Sequence, residues 1–165
     1  MLSFSDLNMT QRKLLNIIAF ICLAAVAFAL FSQHVLGMLP CAWCVLQRLI
    51  FIVIALVCIL VNFSGSFIYQ KIITFIAAGL SVSGVVAAWY QYSVASASFS
   101  CDMTFADVFM SRQTGLDAAL PWLFGIYTTC MDAAVELFGV EYAMWALLLF
   151  AVIAIVLILS LFKRA

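Results

Sequence analysis

Four long apolar stretches punctuate the chain, over about 14–31, 45–63, 72–90 and 142–162. Each is close to the ~20 residues that an α-helix needs to cross the hydrocarbon core of a bilayer. None shows the strict alternation of a barrel strand, and in lipid only helices or closed barrels satisfy the backbone. The pattern predicts an all-α membrane protein, a four-transmembrane-helix bundle forming one integral membrane domain over 1–165. The segments at about 32–44 and 91–141 then emerge on one side of the membrane. Apolar clusters recur in the longer one at Met103, Phe105, Val108, Phe109 and Met110, and at Leu120, Trp122, Leu123, Phe124 and Tyr127. They are too short to span and predict short interfacial helices lying on the membrane surface.

A cleavable signal peptide competes for the first stretch, because Arg12 and Lys13 precede it and Ala25-Val26-Ala27 resembles a small-residue cleavage site. The apolar character continues through Phe28, Leu30 and Phe31 with no polar break, which favours a retained span.

Composition agrees with lipid as the solvent. The chain is 68% hydrophobic and 8% charged, against roughly 25% charged residues in average soluble domains. Its formal net charge is zero, so no basic face is offered to nucleic acid. The placement of charge is more informative than its sum. Arg12 and Lys13 precede the first span, Lys71 lies between the second and third, and Lys163 and Arg164 follow the fourth. With four spans these all fall on one side, and the positive-inside rule makes that side cytoplasmic. Six of the seven acids lie in the 91–141 segment, where Arg112 is the only basic residue.

This topology sorts the six cysteines. Cys22 and Cys58 fall mid-span, where a cysteine serves as a small apolar side chain between helices. Cys41, Cys44, Cys101 and Cys130 lie at or outside the outer face, an oxidising location in which an even number of cysteines forms a disulfide framework. Cys41-Ala42-Trp43-Cys44 is a C-x-x-C, and its disulfide closes too small a ring to gain much loop-closure entropy. Redox exchange or metal binding suits it better. Cys101 and Cys130 enclose a loop of thirty residues, which taken alone suits a structural staple. A neighbouring C-x-x-C makes disulfide exchange with that pair the competing use. Zinc sites with four cysteines usually carry two short-spaced pairs, and only one is present here.

Arg48 stands at i+4 from Cys44, hence on the same helix face. It either snorkels to the headgroups or holds Cys44 as a thiolate. His34 reads as an exposed polar residue in preference to a proton carrier, and Pro40 breaks the first helical path so that the C-x-x-C begins the second span. The spans carry almost no ionisable groups apart from Arg48, which argues against a proton or ion transporter. A tetraspanning scaffold merely stapled by disulfides is the non-enzymatic alternative.

Taken together, these residues resemble the DsbB family, the disulfide bond formation proteins B of bacterial inner membranes. The resemblance rests on four spans with both ends inside and on C-x-x-C-x-x-x-R over Cys41–Arg48. It extends through Gln33-His34-Val35 before Pro40, Cys101-Asp102, Cys130, and Phe138-Gly139-Val140-Glu141 leading to Trp145. It implies a quinone-reducing oxidoreductase that reoxidises a DsbA-like periplasmic thiol oxidase. The partner would attack the Cys101–Cys130 disulfide at Cys101, and Cys130 would exchange with Cys41–Cys44. Cys44 would then pass electrons to ubiquinone or menaquinone from the membrane quinone pool, with Arg48 at the quinone head. Gln47 replaces the acid that family members carry before the arginine, and Val135 replaces a tryptophan; both positions are expected near the quinone. Relatives of the DsbI type, serving dedicated partners, share the pattern.

Overall fold

The computed structural model describes residues 4–94, 104–134, 136–137 and 139–162. Among them, four helices are long and apolar enough to cross a membrane: α1 (Phe4–His34), α2 (Ala42–Ile59, extended by a 3-10 turn at Leu60–Phe63), α3 (Phe67–Ser93) and α7 (Tyr142–Phe162). The expected all-α four-helix architecture is the one observed. Helices run past the apolar stretches that announced them. α1 takes in the polar Thr10–Lys13 run, which contains no helix breaker, because hydropathy marks only the lipid-crossing part of a helix.

Lipid tails are as apolar as the side chains they touch, so close van der Waals packing holds these helices together. α3 presents Ala77, Ala78, Gly84, Ala87 and Ala88, and α7 lies along it in the most extensive contact of the bundle. The approach is tight at Gly84, where the Phe150 ring occupies the space a Cβ would need. Phe150 in turn stacks on Phe51 of α2, with centroids 3.9 Å apart and planes 6° from parallel. α2 also packs along α1 and α3, whereas α1 and α7 make little contact. The bundle is therefore open along one flank.

The connection between α3 and α7 folds over the end of the bundle that bears residues 35–41. α4 (Phe105–Asp107) runs into a π-helical turn (Val108–Gln113), followed by α5 (Leu116–Ala119) and α6 (Pro121–Phe124). Thr104 caps the first of these by accepting from the Asp107 N–H at 3.4 Å. Gly115 begins α5 at φ +61°, a conformation that costs glycine little. A ladder of two-residue strands, β1 (Glu136–Leu137) and β2 (Val140–Glu141), leads into α7. The apolar clusters of the sequence predicted short helices only; the ladder arises where Gly139, at φ +79°, turns the chain back on itself.

Three hydrogen bonds dock this cover. Tyr127 N–H donates to Pro40 O at 3.1 Å, His34 Nε2–H donates to Trp122 O at 3.0 Å, and Arg48 Nη1 donates to Leu123 O at 3.1 Å. His34 is exposed but tethered. Beneath the cover, Ala106, Met110 and Phe124 pack with Cys41, Trp43, Val45 and Cys130 in one buried cluster. Cys22 and Cys58 belong to a second cluster deeper in the bundle, both fully buried.

A buried dithiol beside a lipid-facing cavity

The C-x-x-C occupies the first turn of α2. Cys41 is the N-cap residue, with extended backbone (φ −90°, ψ 173°), and its carbonyl accepts from Val45 N–H at 3.0 Å. Pro40 does not break α1, as its place in the sequence suggested: α1 ends at His34, and the connection turns at Gly37, at φ +69°, before Pro40 is reached. Pro40 directly precedes the N-cap, and α2 begins two residues after it. One helical turn brings the sulfurs together, with Cys41 Sγ 3.2 Å from Cys44 Sγ, both cysteines free. The Cys41 thiol is pushed well above its ordinary pKa, first by the hydrogen bond to Cys44 and then by burial. Either sulfur can donate across this contact, and the direction of the Cys41 shift favours the proton on Cys41.

Cys44 has a second donor. Gln91 Nε2, from the end of α3, reaches its sulfur at 3.1 Å. Gln47 Nε2 donates to Gln91 Oε1 at 2.7 Å and so fixes the orientation of that amide. Arg48 is buried, and its guanidinium is held by Gln33 Oε1 at 2.6 Å, Leu123 O at 3.1 Å and Ala29 O at 3.4 Å. These bonds answer the cost of burying a cation with charge-assisted hydrogen bonds. They also keep the charge close enough to act electrostatically on Cys44.

Cys44, Gln47, Arg48 and Gln91 line one end of a cavity of about 580 Å³. Tyr142, at the start of α7, joins them with its hydroxyl, and the remaining walls are mostly apolar and come from α1, α2 and α7, including Ala25, Phe51 and Leu149. Phe28 and Leu148, 47% and 56% exposed, stand on its two flanks. The cavity thus opens where α1 and α7 fail to close on each other, onto the surface that faces lipid.

Of the residues singled out by the sequence, Cys41, Cys44, Gln47 and Arg48 converge here. Cys130 is disulfide-bonded and buried in the cluster that contains Cys41. Cys101 and Val135 lie outside the described residues. The sequence reading gave no part to Ser32, Gln91 or Tyr142, and none beyond a motif to Gln33. The signal available for them was a polar side chain at the end of an otherwise apolar span, which in a membrane marks either a partner or a site.

A proton-sharing dithiol at the head of a membrane helix, with a fixed cation and an apolar cavity open to lipid, defines a membrane protein built for thiol–disulfide chemistry. Comparison with known proteins agrees. Residues 11–160 match the family described as Disulfide bond formation protein DsbB. Disulfide bond formation protein B of Herminiimonas arsenicoxydans is 33% identical over 157 residues, covering 93% of this chain and 97% of that protein. The proteins of the same name from Burkholderia pseudomallei (strain 1106a) and Polaromonas naphthalenivorans (strain CJ2) are each 31% identical. They cover 93% and 92% of this chain, and 91% and 92% of their own lengths. The chain belongs to the DsbB family of multi-pass disulfide bond formation proteins.

Proposed function

We propose that this protein reoxidises a DsbA-like periplasmic dithiol oxidase and passes the electrons from Cys101 and Cys130 to Cys41 and Cys44, and on to a membrane quinone, ubiquinone or menaquinone. The observation that carries the reading is the position of Cys44. It shares a proton with Cys41 on one side and forms the wall of a lipid-facing cavity on the other. On this reading the cysteine-bearing end is periplasmic, both chain ends are cytoplasmic, and the residues named are the working ones. Arg12, Lys13 and Lys71 stand at the end of the bundle away from the C-x-x-C, which supports that orientation.

Burial gives the electron path its direction. Cys41 is 0% exposed, so a folded partner cannot reach its sulfur. The partner's thiolate instead attacks Cys101, breaking the Cys101–Cys130 bond, and its second thiol resolves the mixed disulfide. Cys130 shares a buried cluster with Cys41 and attacks the Cys41–Cys44 disulfide there, displacing Cys44 as thiolate. Cys101 then closes on Cys130. One disulfide has moved outward and two electrons inward, leaving Cys41 and Cys44 reduced and Cys130 paired.

The cavity suits a quinone. Donors and a cation cluster at one end for the head group, apolar walls extend away for an isoprenoid chain, and the volume lies within the ~300–1,000 Å³ usual for ligand sites. When bound, a quinone supplies a two-electron, two-proton acceptor that no side chain provides. Arg48 and Gln47 face the head group. Gln91 holds the Cys44 sulfur in place, and Cys41 keeps its proton until the disulfide closes. The exchange half is tested with a reduced DsbA-like protein lacking its second active-site cysteine. A trapped mixed disulfide mapped by mass spectrometry to Cys101 is expected, and trapping at Cys41 or at no cysteine overturns the proposed order.

A further inference from the structure

A second, smaller cavity adjoins the first at Ala29, Cys44, Arg48 and Tyr142. It holds about 30 Å³, enough for about one water molecule. Ser32, Met38, Pro40, Cys44, Arg48 and Tyr142 line it, so it reaches from the connection at 35–41 to the reactive sulfur. Tyr142 also lines the larger cavity, so it stands in the walls of both cavities, with Ser32 beside it in the smaller one. Ser32 is buried and its Oγ donates to Phe28 O at 2.9 Å, which leaves its lone pairs free to accept.

Proton stoichiometry gives this cavity a task. Closing the disulfide between a Cys41 thiol and a Cys44 thiolate releases two electrons and one proton. Reducing a quinone to its quinol consumes two electrons and two protons. One further proton must come from water, into a site sealed on the Cys41 side. Arg48 keeps its protons, and the Gln47 and Gln91 amides release none. Among the described residues lining the two cavities, only Tyr142 and Ser32 carry hydroxyls.

We propose that the small cavity binds a water, and that this water and the Tyr142 hydroxyl, positioned by Ser32, relay a proton from the aqueous face to the Cys44 end of the larger cavity. The relay rests on the quinone reading above. Tyr142 gives its proton toward the larger cavity and regains one from the water, which is replenished along the 35–41 connection. Ser32 holds the acceptor geometry. No net charge is left on Tyr142, so each turnover returns it to its starting state.

The test uses full-length detergent-solubilised protein as wild type, Tyr142→Phe and Ser32→Ala. Infrared difference spectra are taken between dithiol and diamide-oxidised forms of quinone-free protein, in ordinary and in heavy-oxygen water. An isotope-shifted water band is expected in the wild type and should be lost in Tyr142→Phe. With a reduced dithiol partner and a short-chain quinone, kcat for Tyr142→Phe should fall about 100-fold, the lower end of what a positioned proton donor contributes. KM should stay unchanged and the solvent isotope effect should rise. The alkylation rate of Cys44 in reduced, quinone-free protein should match the wild type, as should Tyr142→Phe stability. Wild-type turnover with an unaltered Tyr142→Phe overturns the relay alone. Equal loss of turnover and of Cys44 alkylation also overturns it, by assigning Tyr142 to the sulfur. No turnover by the wild type with any quinone overturns the quinone reading and the relay together.

Discussion

Gly84→Ala tests the packing that shapes the cavity. A Cβ built on Gly84 would lie 2.5 Å from Phe150 Cε1 and 2.7 Å from Cγ, and closer still to Cδ1. Ordinary carbon contacts begin near 3.5 Å, so the ring must retreat by about 1 Å. It has little room, because Phe150 is fully buried and stacks on Phe51 at 3.9 Å. Overpacking of this kind costs about 1–3 kcal/mol, while replacing glycine inside a helix returns about 1 kcal/mol. The net expectation is a loss of up to about 2 kcal/mol, read by equilibrium unfolding in mixed micelles. Phe51 also lines the cavity, so displacement of the stack should weaken quinone binding. The double variant Gly84→Ala/Phe150→Leu should be less destabilised than the sum of its parts, because leucine vacates the contested space. A Gly84→Ala protein more stable than wild type, or strict additivity with Phe150→Leu, would refute the steric argument.

Three further outcomes follow from the site. Arg48→Lys keeps the charge but loses the planar fork that binds Gln33, Leu123 O and Ala29 O together. With about 1.5–3 kcal/mol at stake for a charged hydrogen bond, kcat/KM for quinone should drop by at least about tenfold, and an unchanged value would contradict the role given to the fork. Gln91→Leu removes a donor to Cys44 Sγ and should slow quinone reduction while leaving the first exchange with the partner intact; stopped-flow traces showing both steps slowed alike would count against it. The raised pKa of Cys41 keeps it a thiol as pH rises through the ordinary range of about 8.5. Iodoacetamide should therefore label Cys44 first at neutral pH, with Cys41 following only in more alkaline solution; comparable labelling of the two in folded protein at neutral pH would contradict the assignment of the shared proton.

The amino-acid pattern carried the bundle because each lipid-crossing helix must be a long apolar run, and no tertiary information is needed to see one. The chemistry was legible for a related reason. The C-x-x-C, Pro40 and Arg48 are neighbours in the chain, and one helical turn converts that spacing into geometry. Gln91, Gln33 and Tyr142 were not legible, because each reaches the site from a different helix and only packing brings them together. Gln47 lines the cavity beside Cys44; its bond to Gln91 depends on the α2–α3 register, which no periodicity in either helix specifies. The β1–β2 ladder was missed because two-residue strands leave no period to read.

Quinone reduction by the purified protein, driven by a reduced DsbA-like partner and followed by quinone absorbance, tests the electron path most directly when wild type is set against Cys44→Ser. The path proposed here requires turnover in the wild type and none in Cys44→Ser, with Cys101→Ser equally inactive. Turnover that survives Cys44→Ser, or none from wild-type protein with its four outer cysteines intact, would contradict it.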